Sequence, residues 1–143
     1  MFKYVRPLFR FLVKQTSSLL LKDPKEYLKH IRDTFPKEDQ VLLDDPVISR
    51  SLITHLSEAY RQGSAGIELD TRLILQDWSL QLEEICTSIE FWHSENDTLS
   101  PPAMSTYMAN AIPGAKLTLL PQTGHLVLDY REQWKMLLNR VRN

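Results

Sequence analysis

One change of pattern constrains this chain more than any other feature. Up to about residue 85 every patterned stretch has helical spacing, and from about residue 86 the chain reads as strand, helix, strand, helix. Thr87 to Trp92 and Lys116 to Leu120 have strand composition. Between them Ser100-Pro101-Pro102 opens a helix with Tyr107, Met108, Ala111 and Ile112 on its inner face, and Pro113-Gly114 ends it. Two strands joined by a helix of about a dozen residues run parallel, because a tight hairpin leaves no room for such a crossover. The fold class is therefore α/β. Asp129 is expected to cap a last helix with Tyr130, Trp134, Leu137, Leu138 and Val141 as its buried stripe. Its Lys135, Arg140 and Arg142 lie toward the end where the helix dipole favours cations.

The first half carries clear helix starts. Asp23-Pro24-Lys25-Glu26 supplies a capping acid, a proline at the first helical position and a Glu that can answer the cap. Asp45-Pro46 repeats the device, and Ile48, Leu52, Leu56 and Tyr60 follow on one face until Gly63. Gly63-Ser64-Ala65-Gly66 reads as a loop. The stretch from about Asp70 to Leu82, with Leu73, Ile74, Trp78 and Leu80, reads as irregular or short helix. At the N-terminus Lys3, Arg6, Arg10 and Lys14 alternate with Phe2, Val5, Leu8, Phe9, Leu12 and Val13, and Pro7 interrupts the pattern. That suits a helix packed on the rest of the protein, or else a membrane-surface helix or transit peptide. The apolar runs are too broken for a signal-peptide core or a span.

Composition narrows the function classes. With 143 residues, 43 % of them apolar and 24 % charged, the chain can build a real core, and a net charge of −1 gives no electrostatic signal for nucleic acid or an acidic membrane. The single cysteine, Cys86, cannot form an internal disulfide; its apolar setting predicts a small core residue and a reducing, cytoplasmic compartment. His30 and His55 have no ligand spacing around them, so neither a metal site nor a cofactor site is read.

The chemistry gathers after the strands. Asp97 lies five residues beyond Trp92 and His125 five beyond Leu120. In a parallel sheet the loops that follow the strands leave from one edge, and neighbouring strands are about 4.8 Å apart. The carboxylate and the imidazole would hang side by side. A carboxylate bonded to one imidazole nitrogen fixes the tautomer and frees the other nitrogen to take a proton from a nucleophile. Gly124 lets the backbone aim the ring. The plainer reading makes Asn96-Asp97 a turn and His125 a surface histidine. His93 is expected to make hydrogen bonds within its own loop.

Phe91-Trp92-His93-Ser94-Glu95-Asn96-Asp97, followed by Leu99-Ser100-Pro101, resembles the W-H-G-E-x-D-x-x-x-P segment that delivers the triad acid in the α/β-hydrolase superfamily. Ala115-Lys116-Leu117 through Pro121-Gln122-Thr123-Gly124-His125 resembles that family's closing strand and Gly-His loop. Ala59-Tyr60-Arg61-Gln62-Gly63 through Gly66, Asp70 and Trp78 resembles its cap-to-core passage. The likeness runs over about residues 48 to 140, with Ser94 standing where the family has glycine. It implies a partial α/β-hydrolase fold: a helical cap or lid over residues 1–85, then the last two parallel strands with their helices over 86–143. It also implies a catalytic role for Asp97 and His125, with Trp78 lining a substrate pocket. The family's nucleophile sits on a strand–G-x-S-x-G–helix turn upstream of the cap. No such turn occurs here. In Gly63-Ser64-Ala65-Gly66 the glycine directly precedes the serine and the segment follows a helix, so Ser64 reads as a cap-loop residue. The oxyanion loop is missing as well.

The resemblance implies the C-terminal portion of a serine-hydrolase-type enzyme, acting on a small-molecule ester, amide or related bond. It would need an N-terminal half and be inactive alone. An open sheet edge would favour dimerisation or fragment complementation. The competing expectation is a non-catalytic interaction module or degenerate relic that pairs through that edge. A third is membrane association through residues 1–14.

Overall fold

The computed structural model describes residues 2–61 and 63–142, with side chains from Pro7 onward. The side chains of Phe2, Lys3, Val5 and Arg6, and Gln62 in the glycine stretch, lie outside the described residues. The helices are α1 (Phe2–Lys22), α2 (Pro24–Arg32), α3 (Lys37–Leu42), α4 (Pro46–Ala59), α5 (Ala65–Ile74), α6 (Ala103–Ala111) and α7 (Arg131–Arg142); the strands are β1 (Glu90–Ser94) and β2 (Lys116–Leu120). Short 3₁₀ turns occupy Leu82–Glu84 and Val127–Asp129. Packing divides the chain into two units. One comprises Met1–Arg32 and Pro46–Trp78, the other Asp33–Asp45 and Ser79–Asn143. By packing, α3 sides with the strands.

The first unit is helical. Val13, Ser17 and Leu20 of α1 are buried at helical spacing, while Leu8, Phe11, Leu12 and Leu21 are exposed. Pro7 lies inside α1 and does not interrupt it. The bond it cannot donate would reach back only to the first turn, where little helix is lost. The predicted cap of α2 forms, with the Glu26 amide donating to Asp23 Oδ1 at 3.0 Å. Tyr27 of α2 is buried, and burial followed by Tyr60 pushes its hydroxyl up to about 12. Gly63, with φ +73°, ends the turn after α4 in a conformation that side-chain-bearing residues avoid. Helix α5 begins earlier than the sequence suggests, taking Ala65 and Gly66 out of the loop. Its Glu68 is buried and held by Arg10 at 2.5 Å.

In the second unit β1 and β2 pair in parallel, from Glu90 opposite Lys116 to Ser94 opposite Leu120. β1 is shifted from the expected Thr87–Trp92. The Lys116 amide donates to Ile89 O at 3.0 Å, so Thr87 and Ser88 lie before anything β2 can pair with, while His93 and Ser94 still face partners. Cys86 consequently stays in the connector and is exposed, not in the core. Arg140 of α7 bonds Glu90, placing α7 on the face shared by Glu90, Trp92 and Leu120. A cavity of about 220 Å³ remains there, bounded by Trp92, Leu120, Val127 and Leu137. The expected stripes are only partly covered: Tyr107 of α6 and Trp134, Leu138 and Val141 of α7 are exposed. Two strands offer a helix too narrow a floor to bury a full stripe. Asp129 falls in the 3₁₀ turn instead of capping α7, whose first bond is Trp134 N to Tyr130 O at 3.0 Å.

Candidate acid–histidine site

The loops that follow β1 and β2 continue the ladder past its last paired residues. The Glu95 amide donates to Leu120 O at 3.0 Å and the Asn96 amide to Thr123 O at 3.3 Å. Thr123 is fully buried and its hydroxyl donates to Leu120 O at 2.7 Å. The two loops therefore leave the sheet edge stitched together, and that spacing sets the site.

Asp97 and His125 meet there. His125 Nδ1 is 2.9 Å from Asp97 Oδ2, between residues 28 apart in sequence. The other oxygen, Asp97 Oδ1, accepts the amides of Leu99 at 2.9 Å and Ser100 at 2.8 Å. These two bonds hold the carboxylate so that Oδ2 faces His125, with His93 Nε2 3.7 Å from the same oxygen. Asp97 is buried, whereas the His125 side chain is 39 % exposed. Its Nε2 has no hydrogen-bond partner among the described residues. Burial by itself would raise the Asp97 carboxyl. The Ser100 amide, the His125 ring and the Leu99 amide outweigh it and hold the group below the ordinary carboxylate range. His93 bonds within its own loop as expected, with Nε2 2.7 Å from Ser100 O.

That depressed value carries a stability consequence of definite sign. The folded state takes up the Asp97 proton less readily than the unfolded chain. The contribution is complete above the unfolded carboxylate value of about 3.9 and is lost as pH falls through the lower folded value. Asp97→Asn is expected to flatten the acid limb of a stability–pH profile below about pH 4 relative to the unsubstituted chain. Denaturant midpoints measured from pH 2 to 6 check this, and parallel acid limbs would refute it.

A residue that sequence reasoning passed over completes the site. Asp39 of α3 is 0 % exposed. Its Oδ2 accepts the His125 amide at 2.6 Å, its Oδ1 accepts the Tyr130 hydroxyl at 2.9 Å, and the Leu126 amide lies 3.3 Å from both oxygens. Tyr130 in turn accepts the Gly124 amide at 3.1 Å. Burial outweighs these donors and leaves the Asp39 carboxyl above its ordinary value, and burial likewise raises Tyr130. No sequence signal marked it: that Pro36, Asp39 and Leu43 share a buried stripe is seen only in the folded chain.

The other singled-out residues lie elsewhere. Trp78 is 65 % exposed and belongs to the first packing unit, its indole N–H donating to Leu73 O at 2.6 Å. Ser64 stands at the start of α5 without a side-chain capping bond. Ser94, at the end of β1, is buried with a hydroxyl that lacks a partner. Among the described residues no cluster of three His, Cys, Asp or Glu side chains is arranged to hold a metal ion. Nor is any helix long and apolar enough to cross a membrane.

No protein-family model matches the sequence, and no curated protein does. Solved structures do match. The chain is similar to an esterase from Exiguobacterium antarcticum, with a TM-score of 0.58 and 21 % identity over 94 % of this chain and 48 % of the esterase. It is also similar to a bromoperoxidase from Bacillus anthracis, with a TM-score of 0.58 and 17 % identity over 92 % of this chain and 48 % of that one. The chain thus spans about half the length of the structures it matches. The likeness is one of fold, a partial α/β-hydrolase fold of helices followed by two parallel strands.

Proposed function

We propose that this chain supplies the acid and the histidine of a serine-hydrolase-type enzyme, acting on an ester, amide or related small-molecule bond once a second half brings the nucleophile. The observation that carries the reading is the 2.9 Å contact between Asp97 and His125 Nδ1 at the outgoing edge of two parallel strands, with Nε2 left unengaged. His125 acts as general base, taking the proton of an attacking hydroxyl at Nε2 and returning it to the leaving group. Asp97 holds the tautomer and stabilises the imidazolium. On the family resemblance alone, residues 1–85 other than α3 serve as lid, 86–143 as core, and Trp78 as pocket wall. No cofactor, metal or nucleic acid enters this scheme, and the single cysteine suits a cytoplasmic setting.

Alone, the 143 residues offer a base but no G-x-S-x-G nucleophile turn. The isolated chain is expected to hydrolyse activated esters no faster than free imidazole and to resist a serine-reactive phosphonate. Labelling of Ser64, or of any other serine, in stoichiometric yield would refute this. Co-expression with a strand–G-x-S-x-G–helix segment encoded in the DNA just upstream is expected to restore labelling, at that segment's serine.

A specific observation favours a second reading, that of a pairing module. Among the described residues each strand has one neighbour, and Leu119, Leu128, Leu138 and Val141 are exposed. Such edges and apolar surface invite association. Absence of any nucleophile turn upstream, together with a stable dimer by size-exclusion chromatography, would favour that reading over the enzyme half.

A further inference from the structure

We infer that Asp39 is a positioning residue for His125, and that α3 clips together the two loops that carry the acid and the histidine; the inference rests on the role proposed above for His125. Consecutive residues of one short helix hold one loop each. Glu38 accepts Asn96 Nδ2 at 2.6 Å in the loop that carries Asp97, and Asp39 accepts the amides of His125 and Leu126 in the other. The two contacts differ in weight. Glu38–Asn96 is exposed, so water competes for it, while Asp39 is fully enclosed.

The chemistry of the acceptor is specific. The donors converging on Asp39 are two backbone N–H groups and the Tyr130 hydroxyl. An ionised carboxylate is acceptor-only and satisfies all of them. An amide has one accepting oxygen and no charge: turned toward the two backbone amides it holds them more weakly, and its NH₂ leaves the Tyr130 hydroxyl without its acceptor. The backbone of His125 is therefore pinned at its own amide, one bond from the Cα that carries the ring. Asp97 orients the ring by its side chain; Asp39 fixes the point from which the ring hangs. Because the site brings a proton-accepting nitrogen to within hydrogen-bond reach of a nucleophile, a drift of the loop by about 1 Å is enough to lose most of that alignment.

The test uses the full chain labelled with ¹⁵N, and reads the His125 imidazole nitrogens and the backbone amides by NMR. In the unsubstituted protein the ring is expected to show one tautomer, with the proton on Nδ1. Asp39→Asn is expected to raise amide exchange at His125 and Leu126 by about tenfold or more. It should also broaden the Nδ1 proton, while the Leu99 and Ser100 amides that Asp97 holds keep their exchange rates. Where Asp39→Asn fails to fold, Asp39→Ser removes the charge while keeping a smaller polar group, and is expected to give the same pattern. Glu38→Ala is expected to leave the His125 signals in place.

Unchanged His125 signals in Asp39→Asn, or in Asp39→Ser if the former is unfolded, would overturn the inference. Equal disturbance of the Leu99 and Ser100 amides would overturn it too, by showing general loosening. These readouts need no turnover. A failure of the hydrolase reading appears separately, as a complemented protein whose upstream serine stays unlabelled while the NMR pattern holds.

Discussion

In a complemented enzyme, Asp97→Asn is expected to lower kcat by about 10⁴-fold with KM little changed. The size follows from which atom the asparagine presents. The amides of Leu99 and Ser100 point at Asp97 Oδ1, so an amide in that place turns its oxygen toward them and its NH₂ toward His125. Nδ1 must then accept, the ring proton moves to Nε2, and Nε2 loses the lone pair that would take the nucleophile's proton. The fold survives because both turn bonds survive. Asp97→Ala lacks the turn acceptor and should lose stability along with activity. Steady-state kinetics paired with ¹⁵N shifts of His125 check both the magnitude and its cause. A fall in kcat of less than about tenfold would mean that the acid is a turn residue and nothing more.

The largest expected effect on stability is at Gly124. A Cβ placed there would lie 2.5 Å from Cγ, Oδ1 and Oδ2 of Asp39. That carboxylate cannot step aside, since it is fully buried and committed to the His125, Leu126 and Tyr130 donors. Gly124→Ala therefore has to push the histidine loop away from α3 and strand those donors, a loss of about 2–4 kcal/mol. Gly66→Ala is the matched control. Its Cβ meets nothing within 4 Å and it sits in α5, so alanine is expected to be neutral or mildly stabilising there. Urea midpoints of the two variants provide the comparison, and equal midpoints would show that the loop and α3 are not in firm contact.

Both predictions concern a site of which half was visible in the linear chain. Asp97 and His125 stand out because each lies shortly past a strand end, and parallel strands deliver both loops to one edge; the equal offsets expected from Trp92 and Leu120 are not kept, since β1 runs on to Ser94 opposite Leu120. The cap of α2 was equally visible, since Asp23, Pro24 and Glu26 act on atoms within one turn of themselves. The start of β1 was not, because a strand extends only as far as its partner, and β2 begins pairing opposite Glu90. Burial along α6 and α7 was overstated for a related reason. Periodicity marks a face that seeks cover, as with Tyr107 and Val141, but how much cover a two-stranded sheet provides is not written in the helix.

Asp39 marks the limit most sharply. Within Pro36-Lys37-Glu38-Asp39 an acid near a helix start is what dipole chemistry favours anywhere, and no local pattern separates a solvated one from one enclosed by a loop 86 residues away. Short-range physics, with spacing, capping and strand composition acting over a few residues, made the fold class readable from the chain alone; for Asp97 and His125 it left a pair and a plain turn both open, and the family resemblance favoured the pair. The clamp on the histidine, the close approach at Gly124, the exposed Cys86 and the register of the strands came only with the folded molecule, because each depends on which distant groups are brought into contact and which are left to water.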